Sequence, residues 1–118
     1  MKVLIVDDHA GFRASARRML EADGFEVVAE AASGGDALQA AEDWRPELVL
    51  LDVHLPDGQG FDVAERLLVN GYSPAIVLTS SRDASDFGPL VERSGARGFI
   101  PKSELSGEAI RRVVDERA

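Results

Sequence analysis

The sequence predicts an α/β fold in which one five-stranded, doubly wound parallel sheet carries five helices on its two faces. Five short apolar segments, rich in β-branched residues, alternate along the chain with segments whose apolar residues recur at helical spacing. The apolar segments are continuous and do not alternate with polar residues, which is typical of strands covered on both faces. Strict strand–helix alternation gives right-handed crossovers and therefore an open parallel sheet.

The predicted strands are short and close together in the chain. They cover residues 3–6, 25–29, 48–51, 75–78 and 98–100. The 118-residue chain has the length of one domain. Each apolar run is far below the roughly 20 residues needed to cross a membrane. After Lys2 the first run meets Asp7 and Asp8, which excludes a signal peptide.

One helix is predicted after each strand, from apolar residues at the spacing of a helix face. These residues are Phe12, Ala16, Met19 and Leu20; Ala37, Leu38 and Ala41; Phe61, Ala64, Leu67 and Leu68; Phe87, Leu90 and Val91; and Ile110, Val113 and Val114. Gly24 is placed to stop the first helix, and Ser33 is placed to cap the second. Asn70 and Gly71 are placed to stop the third.

The fourth helix has the least regular pattern. Pro89 lies within its apolar residues, and proline fits the first turn of a helix but not the interior. Residues 80–88 are therefore predicted to form a long polar loop after the fourth strand. Loops of this length in compact domains are often functional.

The charge balance excludes several classes of partner. The chain has 13 Lys and Arg residues against 21 Asp and Glu residues, for a formal net charge of −8. A domain this acidic lacks the basic surface that binds DNA, RNA or an anionic membrane. The absence of cysteine excludes disulfides, cysteine-based metal sites and thiol catalysis, and it fits a cytoplasmic location. We therefore expect no direct nucleic-acid binding and no membrane contact.

Polar and charged residues follow four of the predicted strands at their carboxyl ends. Asp7 and Asp8 follow the first strand, and Asp52 follows the third. Thr79 follows the fourth strand, and Lys102 follows the fifth. In an open parallel sheet the ligand site lies at this edge, where three carboxylates repel one another unless a cation such as Mg²⁺ joins them. A magnesium site would keep Asp52 ionised as a nucleophile, with Thr79 and Lys102 contacting a phosphoryl group.

Four motifs along the chain resemble a known family. They are LIVDDH at residues 4–9, LLDVHLPDGQG at 50–60, PAIVLTS at 74–80 and GARGFIPK at 95–102. In this order and spacing they resemble the response-regulator receiver domain of the CheY-like superfamily, and the histidine after the acidic pair resembles receivers of the NarL type. The resemblance implies a flavodoxin-like fold with strand order 2-1-3-4-5.

The resemblance also implies a role for each residue of the acidic site. Asp52 resembles the phosphoacceptor. Asp8 and Asp52 resemble the carboxylates that bind Mg²⁺ directly, and the backbone carbonyl of His54 resembles the third protein ligand. Asp7 is implied to act through a water on the ion.

Three further residues are implied to respond to the phosphoryl group. Thr79 resembles the switch hydroxyl that moves toward it, Lys102 the lysine that pairs with it, and Phe99 the switch aromatic. Counting forward from the fourth strand selects Thr79, whereas counting back from Lys102 selects Ser80. We prefer Thr79, because the strand pattern runs through it undisturbed. The chain departs from the family where serine, rather than proline, follows the lysine.

The implied function is a phosphorylation switch of two-component signalling. A sensor histidine kinase or a phosphotransfer protein would donate a phosphoryl group to Asp52. The domain would not be an enzyme beyond assisting its own phosphorylation and dephosphorylation. We expect residues 1–118 to form one receiver domain, with no effector domain after Ala118. Receivers of the NarL type usually precede a DNA-binding domain that regulates transcription.

The expected output surface consists of the fourth helix, the fifth strand and the last helix, which could pair in a homodimer. Charged residues on or after the last helix are Glu108, Arg111, Arg112, Asp115, Glu116 and Arg117. An ordinary solvated helix face carries the same mixture of charges, so both interpretations stay open. His54 and Ser81 likewise either tune the lifetime of the phosphoryl group or are plain loop residues.

Two other functions fit parts of the pattern. A receiver-like adaptor that works without phosphorylation would keep the fold, but such domains usually lose acidic or lysine positions that are present here. A phosphohydrolase of the haloacid-dehalogenase type also uses an aspartate nucleophile with Mg²⁺. That family expects a second aspartate two residues after the nucleophile, where this chain has His54, and a cap domain that this sequence lacks.

Overall fold

The computed structural model describes residues 1–68, 72–82 and 87–115, and a five-stranded parallel sheet lies at its centre. The strands are β1 (Lys2–Val6), β2 (Glu26–Ala31), β3 (Leu48–Asp52), β4 (Ala75–Ser80) and β5 (Gly98–Pro101). Their order across the sheet is β2-β1-β3-β4-β5, and every neighbouring pair is parallel. The predicted fold class and strand order are therefore confirmed.

A helix follows each strand, as predicted. The helices are α1 (Ala10–Ala22), α2 (Gly34–Trp44), α3 (Gly60–Leu67), α4 (Leu90–Arg93) and α5 (Gly107–Asp115). A short 3₁₀ helix, Lys102–Glu104, lies between β5 and α5. The helix α4 is a single turn, because Pro89 stands directly before it and Gly95, with a φ of 83°, follows its end. In the part of the chain described, no helix is long and apolar enough to cross a membrane.

The two faces of the sheet carry separate apolar layers. Along β3, Leu48 and Leu50 pack with α1 and α5, whereas Val49 and Leu51 pack with α2 and α3. All four side chains are fully buried. Since successive side chains of a strand point to opposite faces, a strand covered on both faces must be apolar throughout. This explains the continuous apolar runs in the sequence.

Most of the predicted helix boundaries agree with the structure. The hydroxyl of Ser33 accepts a hydrogen bond from the backbone N–H of Asp36 at 3.1 Å and so caps α2. Gly24, with a φ of 89°, follows the end of α1. Asn70 and Gly71, the predicted stop of the third helix, lie outside the described residues. Phe87 lies before α4 and not within it, because Pro89 delays the start of the helix.

The segment between β3 and α3 forms a small antiparallel hairpin that the sequence did not predict. His54–Leu55 pairs with Gly58–Gln59. At the open end of this hairpin, next to β3, the N–H of Gly60 donates to the carbonyl of Val53 at 2.6 Å. A Cβ at Gly60 would overlap the carbonyl oxygen of Asp52, so a glycine is required for α3 to begin this close to the end of β3.

Candidate functional site

The sheet register gathers the predicted site residues at one edge. Asp52, the last residue of β3, pairs with Thr79 of β4, and Thr79 pairs with Ile100 of β5. The strands β1 and β3 are in register up to the residues that precede Asp7 and Asp52. Because paired residues of parallel strands point to the same face, Asp7, Asp52 and Thr79 share one side of this edge. Lys102 follows Ile100 by two residues and so has the same parity.

Acidic side chains form a cluster at this edge. Potential ligand atoms of Asp7, Asp8, His9 and Asp52 all lie within 4.8 Å of one another. Asp7 and Asp52 are buried, whereas the side chain of Asp8 is 39% exposed. The ring Nδ1 of His9 lies 3.1 Å from carboxylate oxygens of both Asp7 and Asp8. The cluster therefore has two buried carboxylates and one that is open to solvent.

Lys102 supplies the positive charge of the site. Its Nζ lies 2.7 Å from Asp7 Oδ2 and 3.5 Å from Asp52 Oδ2. It also lies 4.3 Å from the centre of the Phe12 ring. Lys102 therefore lies next to Asp7 and Asp52, as predicted. Phe12 is a further neighbour of the ammonium, and the sequence identified it only as an apolar residue of the first helix.

Burial and charge move the pKa values of the two buried carboxyls in opposite directions. Burial, together with the negative charge of Asp7, raises the pKa of Asp52 to about 6, although Lys102 opposes this. Burial also acts to raise the pKa of Asp7, but the ammonium of Lys102 and the N–H of His9 outweigh it and lower that pKa. Lys102 thus compensates the charge of Asp7 more fully than that of Asp52, from which it lies further away.

The donor atoms of the cluster fit a hard divalent cation. Among the described residues, the buried oxygen Asp7 Oδ2 has no partner other than the ammonium of Lys102, 2.7 Å away. Asp52 accepts one weak bond, from the N–H of His54 at 3.3 Å. Carboxylate oxygens with unused acceptor capacity, one of them open to solvent, form the kind of site that Mg²⁺ occupies with retained waters.

Thr79 and Ser80 have different surroundings, although they are neighbours and both are buried. The Thr79 hydroxyl donates a 2.7 Å hydrogen bond to the carbonyl of Ile100 in β5. Ser80 has the opposite parity in β4, and its Oγ accepts a hydrogen bond from the N–H of Arg82 at 3.2 Å. Of the two, Thr79 is the residue that shares a face with Asp52.

Comparisons with known proteins agree with this geometry. The family model of the response regulator receiver domain matches residues 3–114. The chain belongs to this family. Among solved structures, it is similar to the signal receiver domain of the response regulator NarL from Mycobacterium tuberculosis, with 30% identity, a TM-score of 0.86, and coverage of 97% of this chain and 93% of that one. It is also similar to a CheY-like receiver domain from Methanospirillum hungatei, at 25% identity and a TM-score of 0.83, with coverage of 98% and 91%.

Curated relatives of the receiver are transcription regulators. It is 35% identical to the DNA-binding transcriptional activator EvgA of Escherichia coli over 104 residues, which are 88% of this chain and 51% of EvgA. It is 38% identical to the virulence-factor transcription regulator BvgA of Bordetella pertussis over 109 residues, which are 92% of this chain and 52% of BvgA. The chain thus spans about half the length of these relatives.

Phe99 of the receiver lies at one side of an aromatic cluster, on the face of the sheet opposite to its neighbour Ile100. Its ring is half-buried, and its centre is 5.4 Å from that of Phe87. The Phe87 ring in turn lies 5.6 Å from Phe61 and 6.1 Å from His54. The cluster joins the hairpin after Asp52 to β5. Phe87 could not be identified in the sequence as part of it, because its spacing matched the fourth helix.

Two further charged residues of the receiver anchor segments that carry site residues, and neither had a clear sequence signal. Arg13 donates to the carbonyl of Asp7 at 2.6 Å and to Glu30 at 3.1 Å, so α1 anchors the backbone of the acidic pair. Asp57, in the hairpin, accepts hydrogen bonds from the N–H groups of Gly34 and Gly35 at 2.8 and 3.0 Å. The partners of both residues lie elsewhere in the sequence, so only the tertiary structure reveals these contacts.

Proposed function

We propose that the receiver accepts a phosphoryl group on Asp52 from a sensor histidine kinase or a phosphotransfer protein, with Mg²⁺ as its cofactor. The observation that supports this most directly is the surroundings of Asp52. This buried carboxylate stands beside two other carboxylates and an ammonium group at the carboxyl edge of the sheet. A buried charge of this kind is costly unless a ligand compensates it.

Asp8, Asp52 and the backbone carbonyl of His54 would hold Mg²⁺, with Asp7 close by. When bound, the ion neutralises the carboxylates and the charge that develops on the phosphoryl oxygens. The N–H of His54 donates to Asp52 and keeps this backbone next to the carboxylate. The exposure of Asp8 leaves the site open to an incoming ion.

In the transfer, a carboxylate oxygen of Asp52 bonds to phosphorus as the bond from phosphorus to the donor imidazole nitrogen breaks. The electron pair of the broken bond stays with the imidazole, which takes a proton from solvent. Asp52 must be ionised, since a protonated carboxyl is a poor nucleophile. Lys102 is near enough to move from Asp7 to a phosphoryl oxygen and stabilise its charge.

Thr79 would then couple the new group to β5. Its hydroxyl must leave the carbonyl of Ile100 in order to donate to a phosphoryl oxygen. Phe99 is the neighbour of Ile100 in the same strand, so breaking this bond changes the packing next to the aromatic cluster. Phe99 would turn in response.

The output surface would be α4, β5 and α5, and a second receiver is its proposed partner. Leu90 of α4 is 44% exposed, although it is a large apolar residue. On α5, Arg112 already pairs with Glu108 at 2.7 Å, and Arg111 bonds to the backbone of Asp23. Glu116 and Arg117 lie outside the described residues. The relatives support a role in transcription regulation, for which a cytoplasmic location is proposed. The net charge of −8 argues that this domain does not itself contact DNA.

The test is phosphorylation by a small donor. The receiver is incubated with Mg²⁺ and acetyl phosphate, and its intact mass is recorded, with Asp52→Asn and an EDTA-treated sample as controls. We expect one added phosphoryl group in the wild type and none in either control. A folded wild type that gains no mass and binds no beryllofluoride would contradict the proposal and favour an adaptor that works without phosphorylation.

A further inference from the structure

The ammonium group of Lys102 has an aromatic neighbour as well as its two carboxylate neighbours. Phe12 lies in the first turn of α1, and the centre of its ring is 4.3 Å from Lys102 Nζ. The same Nζ lies 2.7 Å from Asp7 and 3.5 Å from Asp52. The side chain of Lys102 is 21% exposed, so most of it is shielded from solvent.

An aromatic ring holds an ammonium group in a way that a carboxylate does not. The negative face of the ring attracts the cation, yet the ring carries no net charge and binds no metal. The carboxylates of Asp7 and Asp52 have a second role at this edge, because they surround the proposed cation site. A cation and a phosphoryl group would both engage those carboxylates, but neither would engage the ring of Phe12. The ring therefore stays available as a contact of the ammonium.

We propose that Phe12 is a positioning residue for Lys102. Its ring holds the ammonium at the edge of the sheet where a phosphoryl group on Asp52 would meet it. The inference rests on the proposed function for its effect on phosphorylation, but the contact between ring and lysine stands independently of it. Phe12 therefore acts through Lys102 and does not itself touch the phosphoryl group.

The position of Phe12 in α1 separates this role from plain core packing. Ala16 and Leu20, one and two turns further along the same stripe, are buried, whereas Phe12 is only half-buried at the end nearest the site. A core residue at that place would need only apolar volume, which leucine also provides. A cation–π role needs the ring itself.

Phe25 provides a matched control. It belongs to the same apolar layer, and its ring lies 4.4 Å from the guanidinium carbon of Arg111. It directly precedes β2, at the amino end of a parallel strand and thus at the edge opposite the site. Phe25→Leu therefore removes a ring, a cation–π contact and some packing without approaching Lys102.

The first test measures beryllofluoride affinity in the presence of Mg²⁺, and Mg²⁺ affinity alone, for the folded variants. We expect Phe12→Leu to weaken beryllofluoride binding by about three- to tenfold, the loss that corresponds to one partly shielded cation–π contact. Mg²⁺ affinity should not fall, because Lys102 is not a metal ligand. Phe12→Tyr should restore wild-type binding. Equal affinity in Phe12→Leu and wild type, or an equal loss in Phe25→Leu, would overturn the proposal.

The second test is independent of phosphoryl chemistry. An aromatic ring this close shifts the ε-methylene protons of Lys102 upfield in the NMR spectrum, and Phe12→Leu should abolish the shift while Phe12→Tyr keeps it. Phe12→Met replaces the leucine variant if that variant does not fold. Unshifted ε protons in the wild type would overturn the proposal. A wild type with shifted protons that binds no beryllofluoride would instead contradict the proposed function.

Discussion

At the residue scale, the site is governed by an imbalance of charge between two buried carboxyls. Lys102 lies closer to Asp7 than to Asp52, so the pKa of Asp7 falls while burial raises the pKa of Asp52 to about 6. At neutral pH the protein must hold an ionised Asp52 in a place that disfavours it. This cost is a property of the metal-free state, and a bound cation would remove it.

Asp52→Asn is therefore expected to stabilise the metal-free protein. A carboxyl whose pKa is raised by folding contributes stability below its unfolded pKa, near 4, and loses that contribution as the pH rises through about 6. In EDTA at about pH 7, the Asn variant should be more stable than the wild type by about 2 kcal/mol. Urea unfolding across this pH range measures the difference.

The same experiment with saturating Mg²⁺ supplies the control. An ion that binds the folded wild type at about 100 times its Kd adds about 2.7 kcal/mol of stability, and the Asn variant should gain much less. A wild type that is more stable than Asp52→Asn in EDTA at neutral pH would contradict the assigned charge imbalance.

A second prediction at the residue scale distinguishes Thr79 from Ser80 as the switch hydroxyl. Thr79→Ala removes a buried hydroxyl that bonds to Ile100, which should cost about 1 kcal/mol of stability. We also expect it to abolish the response of the Phe99 ring resonances to beryllofluoride, whereas Ser80→Ala should leave that response intact. Ring NMR spectra with and without beryllofluoride test this. If Ser80→Ala abolishes the response and Thr79→Ala does not, Ser80 is the switch hydroxyl.

At the residue scale, the sequence predicted which side chains meet at the sheet edge, because these polar residues lie at the ends of strands. Asp52, Thr79 and Lys102 were identifiable because each follows an apolar run, and the sheet edge brings such positions together. Phe12 was not identifiable as a neighbour of Lys102, because an apolar residue on a helix stripe predicts core packing equally well. The contact of Arg13 with Asp7 was not predictable either, because the partner is a backbone carbonyl, which every residue carries.

At the element scale, the connection after β3 binds to the start of α2. The carboxylate of Asp57 accepts from the N–H groups of Gly34 and Gly35, and these two bonds lower the pKa of Asp57. A negative charge at the start of a helix also interacts favourably with the helix dipole. The hairpin that carries His54 is thereby fixed to a helix on the same face of the sheet.

Asp57→Ala is therefore expected to lower the Tm and to speed amide hydrogen exchange at Gly34 and Gly35. Asp57→Asn, which keeps one acceptor oxygen, should have a smaller effect. Because the carboxyl has a lowered pKa in the folded state, its contribution is present above its unfolded pKa and is lost as the pH falls through the folded one. Unchanged exchange at both glycines in Asp57→Ala would show that this contact does not hold α2.

At this scale, the sequence predicts that the strands exist but not where each of them ends. Apolar runs predict strands that end at residues 51 and 78, but β3 continues through Asp52 and β4 through Ser80. Hydrogen bonding to neighbouring strands extends the ladder into the polar residues of the site. The hairpin at His54–Leu55 was missed because each of its strands is two residues long and carries no periodicity.

At the scale of the whole molecule, the site and the proposed output surface are joined by β5. Its carbonyl at Ile100 bonds to Thr79, and the neighbouring Phe99 packs on Phe87. Beryllofluoride with Mg²⁺ is therefore expected to convert the protein to a dimer through α4, β5 and α5. Leu90→Arg should bind beryllofluoride normally and stay monomeric, as measured by light scattering.

Trp44→Arg is the matched control for this prediction, since Trp44 is also an exposed apolar residue but lies at the end of α2. It should dimerise like the wild type. Dimerisation of Leu90→Arg that equals the wild type would place the interface elsewhere. Both apolar faces of the sheet were predictable from the sequence pattern, and the strand order was predictable only from the family resemblance. No pattern in the sequence specifies this partner surface.

Localisation of the phosphoryl group distinguishes Asp52 from the other carboxylates of the site as the phosphoacceptor. The receiver is phosphorylated by acetyl phosphate with Mg²⁺ and reduced with borohydride, which converts an aspartyl phosphate to homoserine, and its peptides are then mapped by mass spectrometry. We expect conversion at Asp52 alone, and none when EDTA replaces Mg²⁺. Conversion at Asp7 or Asp8 with Asp52 unmodified would contradict it.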